Sequence, residues 1–218
     1  MTLFSQSDGP TRVLVLAPHT DDAELGAGAT ISRLGREGAE VHIVAFSAAE
    51  LSVPKELPPD INREDAVRSA GELGVPADRV RVLEFPVRRF PEHRQEILET
   101  MIRLRTEIDP DVVFGPCSTD RHQDHSVVND EMLRAYGRKT LLGYELPWNC
   151  INFEASSHVE VTDDDLKAKV HALSLYRSQE SRNYMSDEFC RSWAYTRGIQ
   201  SAMELSESFE MIHWRAAL

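Results

Sequence analysis

Apolar positions alternate along the chain between short uninterrupted runs and helix-length amphipathic stretches. "RVLVLA" (12–17) is apolar on both faces, the pattern of a strand covered on each side in a parallel sheet. "LGAGATISRLGREG" (25–38) predicts a helix, with Ala27, Ala29 and the glycines allowing close packing and Gly38 as its stop. "EVHIVAF" (40–46) predicts the second strand, and the proline-rich 47–60 a long loop. "NREDAVRSAGELG" (62–74) predicts a helix, "RVRVLEF" (79–85) a third strand, and "PEHRQEILETMIRLRTEI" (91–108) a helix with Pro91 at its start. "PDVVFGP" (110–116) predicts a short buried strand, followed by the polar loop 117–125, a helix through about 136 and a strand at 139–146. Residues 147–162 carry no clear pattern, and the final third, from Asp163, predicts mainly helix.

Repeated strand–helix alternation predicts an α/β fold: a single Rossmann-like, open, mostly parallel sheet flanked by helices, with a helical C-terminal portion. The predicted division is a tail over 1–11 and one domain over 12–218. In such sheets ligands bind at the carboxyl ends of the strands.

The charge balance narrows the partners. Lys plus Arg number 24 against 36 Asp plus Glu, a formal net charge of −12 that repels nucleic acid and anionic membranes. No apolar run reaches the roughly 20 residues of a membrane span, and the N-terminus lacks a signal-peptide pattern. Cys117, Cys150 and Cys190 are widely spaced, which fits neither a disulfide framework nor a thiolate zinc site. A cytoplasmic protein is expected, with homo-oligomerisation left open.

Two acid-and-histidine clusters stand directly after apolar strands. His19, Asp21, Asp22 and Glu24 follow the first strand, and Asp120, His122, Asp124 and His125 follow the one at 110–116. His19 can supply a neutral nitrogen and either aspartate an oxygen to zinc, whereas alone this cluster reads equally as a solvated turn. Two such clusters on one sheet edge point to a metal. Two histidines, a carboxylate and an open position compose a hydrolytic zinc site, although the same set also suits iron(II).

"APHTDDAELGAGATISRL" and "PDVVFGPCSTDRHQDHSVVNDEMLRA" resemble the paired signatures of the LmbE-like/PIG-L-like zinc N-deacetylases. "NREDAVRSAGELGV" and "KAKVHALSLYRSQ" resemble two further segments of that family, so the likeness extends over roughly 12–210. Thr20 stands where the family has proline, which removes a φ restraint but no ligand. The resemblance implies zinc held by His19, Asp22 and His125. It implies Asp21 as general base, a cationic His122 as oxyanion stabiliser or proton donor, Asp124 orienting His122, and Arg63 reaching substrate. The implied substrate is a small N-acetylated sugar, of N-acetylglucosamine type, or its conjugate.

Glu24 is expected to favour a helix N-terminus and Cys117 to be incidental; Trp148 and Asn149 are candidates to line a sugar pocket, with core packing the favoured role for Trp148. Two other classes compete. A receiver-like signalling module would need a phosphoacceptor aspartate after the third strand, where "LEFPV" stands instead. A sugar-binding relative without catalysis is disfavoured by the complete ligand set. A different small amide conjugate would use the same machinery.

Overall fold

The computed structural model describes residues 9–215, so most of the tail assigned to 1–11 lies outside the described residues. The strands are β1 (Arg12–His19), β2 (Glu40–Ser47), β3 (Val80–Val82), β4 (Val112–Pro116), β5 (Thr140–Tyr144), β6 (Ser157–Glu160) and β7 (Ser206–His213). The helices are α1 (Asp22–Arg36), α2 (Ile61–Glu72), α3 (Arg94–Ile108), α4 (Gln123–Tyr136), α5 (Asp163–Ser174) and α6 (Asp187–Ser201). They form one sheet in the order β3-β2-β1-β4-β5-β7-β6. The first five strands in that order run parallel, and β7 is antiparallel to both β5 and β6. This is the open, mostly parallel α/β sheet that the alternation predicts.

The alternation of β1 divides the core. Val13, Val15 and Ala17 pack with residues of α1, α5 and α6 on one face. Leu14 and Leu16 pack with α3 and α4 on the other. Both faces are dry, which is why β1 reads as a continuous apolar run rather than an alternating one.

Several elements depart from the sequence pattern. The strand expected over 79–85 is paired only at Val80–Val82, with an isolated antiparallel bridge from Ser47 to Glu84. From Asp163 on the chain is mainly helical as expected, in α5 and α6, but it also holds the unexpected strand β7, which with β6 from the unpatterned 147–162 stretch completes the sheet. Among the described residues no helix is long and apolar enough to cross a membrane.

Helix α1 is broken at Ala27, whose φ of −143° is not helical. The break has an identifiable cause. In an unbroken helix the Ala29 N–H would donate to the Leu25 carbonyl. Here the Ala29 and Thr30 N–H groups donate to the Glu207 carboxylate at 3.2 and 2.7 Å. The freed Leu25 carbonyl accepts from Lys169 Nζ at 2.6 Å, and the same ammonium pairs with Glu207 at 2.6 Å. A buried ion pair from α5 and β7 thus replaces the missing helical bond, an inserted side chain being a standard source of a kink.

The first turn of α1 also lies flat on β5. A Cβ at Gly26 would come within 2.3 Å of the Tyr144 ring. That ring is pinned by its hydroxyl, which donates to the Leu16 carbonyl at 3.0 Å. Gly26→Ala is therefore expected to destabilise the fold by about 1–3 kcal/mol, as overpacking of cores does, read as a lower urea midpoint.

Candidate metal centre and active site

Strand order reverses at β1 and β4, which are adjacent and parallel, with Val15 opposite Phe114. Crevices at such switch points lie beyond the carboxyl ends of the strands. β1 ends on His19, and the loop after β4 delivers Asp120, His122, Asp124 and His125 to the same edge.

Three donor atoms converge there. Asp22 Oδ2 lies 3.2 Å from His19 Nδ1 and 3.3 Å from His125 Nε2, and the two histidine nitrogens are 3.3 Å apart. A tetrahedral zinc with bonds of about 2.0–2.1 Å places its ligand atoms about 3.3–3.4 Å apart. The triangle thus has the edge length of one face of such a site. His122 joins them: the ligand atoms of His19, His122 and His125 all lie within 4.8 Å of one another. The three histidines form a group able to hold a metal ion.

Each converging imidazole is backed by a carboxylate. Asp120 Oδ2 lies 2.8 Å from His125 Nδ1, and Asp124 Oδ2 lies 3.1 Å from His19 Nε2. Such contacts fix the tautomer so that the opposite nitrogen keeps its lone pair for a metal. Asp124 is itself anchored by the backbone N–H groups of Arg88 and Phe90 at 2.6 and 3.2 Å. Arg88 takes a left-handed backbone, φ 68°, to reach it. Asp22 also accepts the His19 backbone N–H at 2.8 Å.

The electrostatics favour positive charge at this point. Burial disfavours the His19 imidazolium, yet Asp124 and Asp22 raise its pKa to about 9. Burial is likewise outweighed at His125, where Asp22 and Asp120 raise the pKa to about 10. Burial would raise Asp22, but His125 and His19 hold it far below the ordinary carboxylate range. Asp21 goes the other way: burial, then the neighbouring Asp22 charge, pushes it up to about 6.

His122 caps α4, and its Nδ1 accepts the Asp124 backbone N–H at 3.2 Å. That bond leaves Nε2 as the protonated nitrogen of a neutral ring. Burial and the two neighbouring imidazoles also lower its pKa. These contacts favour a neutral ring at His122, where the sequence reading expected a cationic one. Asp124 does not orient His122 through its carboxylate, which serves His19; only its backbone N–H touches His122.

The matching family model, PIG-L: GlcNAc-PI de-N-acetylase, covers residues 14–136. The chain belongs to the PIG-L family. That span runs from β1 to the end of α4 and so includes both clusters of this PIG-L protein. YaiS of Escherichia coli (strain K12), described as an uncharacterized deacetylase, is 25% identical over 182 residues, covering 81% of this chain and 96% of its own. The N,N'-diacetylchitobiose deacetylase of Pyrococcus horikoshii shares the fold with a TM-score of 0.77 and 22% identity, over 92% of this chain and 83% of its own. GalB, the 4-carboxy-2-hydroxymuconate hydratase of Pseudomonas putida KT2440, shares it with a TM-score of 0.74 and 19% identity, over 95% and 98% of the two chains.

In this PIG-L chain a cavity of about 230 Å³ opens over the donor triangle, lined also by Asp21, His122, Asn149, Gln179 and Arg182. Trp148 and Tyr184 line it as well, stacked with ring centroids 4.1 Å apart. Trp148 is 42% exposed, so it belongs to the cavity wall rather than to the core expected for it. Arg63 does not line this cavity. Its guanidinium donates to the Val82 carbonyl at 2.7 Å and meets Glu50 at 3.4 Å, beside an adjoining cavity of about 350 Å³ that shares Ala49 and Val87 with the first.

Glu24 lies in the first turn of α1, as expected, but its carboxyl is buried and accepts from Ser69 and Tyr176 hydroxyls, both at 2.9 Å. The Tyr176 hydroxyl also lies within hydrogen-bond reach of the Thr20 carbonyl, so its one proton is shared between the two acceptors. The turn at Thr20, without the proline's φ restraint, is thus held by a tyrosine from beyond α5. A cavity of about 1050 Å³ lies at the far end of α4 and is lined by five basic residues. One of these, Arg105, donates to the Ala135 carbonyl at 2.6 Å, as cations do near helix C-termini.

Proposed function

We propose that this chain is a zinc-dependent N-deacetylase acting on an N-acetylated amino sugar or its conjugate, with His19, Asp22 and His125 as the metal ligands. The observation that carries this reading is the donor triangle of 3.2–3.3 Å edges, two of its corners backed by carboxylates, beside Asp21 in an open cavity. The family description and the chitobiose deacetylase that shares the fold support an acetamido group as the bond attacked.

When bound, zinc supplies Lewis acidity and lowers the pKa of a water to about 7. Asp21 takes a proton from the attacking water and returns it to the departing nitrogen, one carboxylate serving as base and then acid. His122 donates its Nε2–H to the carbonyl oxygen as negative charge develops there. Asp124 acts through His19, holding its ring so that Nδ1 faces the triangle. The Trp148–Tyr184 stack offers a flat face to a sugar ring, and Arg63 meets any part of the substrate that extends into the adjoining cavity.

A panel of N-acetyl sugars and conjugates, assayed for amine release by the metal-loaded protein, tests the proposal. Metal analysis should find about one zinc per chain, lost in His125→Ala; iron in its place would change the ion but not the site. GalB, a hydratase sharing the fold, favours a second reading: addition of water to a carbon–carbon double bond. Hydration releases no amine, so the same assay separates the two. Asp120→Asn is expected to weaken zinc binding by about 10–100-fold, measured by competition with a chelator, because Asp120 orients His125 and raises its basicity.

A further inference from the structure

Two thiols beside the metal centre take no part in the chemistry above. Cys117 and Cys150 are both free, with their Sγ atoms 3.3 Å apart. Cys117 is the first residue after β4 and is buried. Its N–H donates to the Tyr144 carbonyl at 2.9 Å, and its Cα presses on Gly143, where an added Cβ would come within 2.8 Å. Cys150 is half-buried at the end of the loop that carries Trp148 and Asn149. That loop lies on the metal-site loop: Cys150 and Asp120 form an antiparallel bridge, and the Arg121 N–H donates to the Asn149 carbonyl at 3.3 Å.

We propose that Cys117 and Cys150 form an oxidative modification site, closed into a disulfide by hydrogen peroxide, and that closure shifts the Trp148–Asn149 wall of the cavity. A disulfide needs about 2.05 Å between sulfurs, so the pair must close by about 1 Å. The β4 side is clamped against Gly143 and Tyr144, so the displacement falls on Cys150 and its loop. The hydrogen bond shared by the two sulfurs lowers the Cys117 thiol from its ordinary range and raises Cys150.

The Cys117 thiolate attacks one peroxide oxygen, the O–O bond breaks, and the released hydroxide takes up the thiol proton as water. The sulfur of Cys150 then attacks the resulting sulfenic acid, the S–S bond forms, and a second water leaves. One peroxide is reduced and two thiols lose two electrons and two protons. The disulfide itself is independent of the deacetylase reading, whereas its effect on substrate binding rests on that reading.

The test uses the zinc-loaded protein, treated with peroxide, alkylated and mapped by peptide mass. A 117–150 cross-linked peptide, lighter by about 2 Da and reversed by dithiothreitol, is expected, with Cys190 still alkylated. With Trp193→Phe and Trp214→Phe isolating Trp148, its emission should shift on oxidation and return on reduction. KM for an N-acetyl sugar that is turned over should rise several-fold while kcat changes little. Cys150→Ser should show none of these responses. Conversion of Cys117 to sulfinic acid without the cross-link would overturn the site. A cross-link that leaves Trp148 emission unchanged, or equal responses in Cys150→Ser, would overturn the coupling to the wall. If no N-acetyl sugar releases amine, the deacetylase reading fails while the peptide map and the emission still decide the thiol proposal.

Discussion

Asp21→Asn is expected to lower kcat for amine release by on the order of 10²–10⁴-fold, the range of general acid–base catalysis, while KM and bound zinc stay near wild type. The two adjacent aspartates are already divided by their contacts. Asp22 Oδ2 accepts the His19 N–H and sits within 3.3 Å of both converging imidazole nitrogens. Asp21 caps the start of α1, its backbone carbonyl accepting the Leu25 N–H at 3.0 Å, while its side chain lines the cavity. Asparagine keeps the shape and can still hydrogen-bond a water, but it cannot accept the proton. Zinc content measured alongside the rate makes the outcome specific. Loss of metal together with activity would make Asp21 a ligand, and a wild-type rate would place the base elsewhere.

The legibility of this centre followed the range of the interactions involved. Strand β1 and its terminal cluster could be read because a strand buried on both faces is apolar without interruption up to His19. The convergence of residues 19–22 with 120–125 could be read because both follow parallel strands, whose carboxyl ends share an edge. What each carboxylate touches could not. Asp120 accepts the backbone N–H of His122, two residues on, yet the imidazole it holds is that of His125, because the turn into α4 decides the direction. Asp124 serves His19 across the switch point, a contact with no local signal. β7 was missed for a related reason. "SESFEMIH" places Glu207 and three serine or phenylalanine neighbours in buried positions, so its inward face is partly ionic and lacks the apolar alternation of a strand. Trp148 was misplaced because tryptophan's usual core role holds only where something covers it, and here one face is left to the cavity.

Lys169→Met is expected to destabilise the fold by about 3–5 kcal/mol, the cost of leaving one partner of a buried ion pair alone. Lys169 and Glu207 are 2% and 6% exposed, and the ammonium also lies 4.9 Å from the centroid of the Trp193 ring. Methionine matches the volume of the side chain but leaves two groups unsatisfied: the Leu25 carbonyl and the Glu207 charge. A urea titration should show a lower midpoint with an unchanged slope. Adding Glu207→Gln should recover part of the loss, since a neutral amide no longer needs a cation and its oxygen can still accept an N–H from α1. Lys167→Met, two residues away, is the control. Lys167 pairs with Asp163 and Asp164 at the surface, where solvent screens the interaction, so its loss should be a small fraction of that at Lys169. Equal losses at the two lysines would show that the kink in α1 does not depend on the pair. The same pair bears on the metal. The turn from Asp22 to Gly26 is joined to the rest of α1 through the break at Ala27, so a loosened break should weaken zinc binding along with the fold. Chelator competition on Lys169→Met, under conditions where it remains folded, separates that coupling from simple loss of stability.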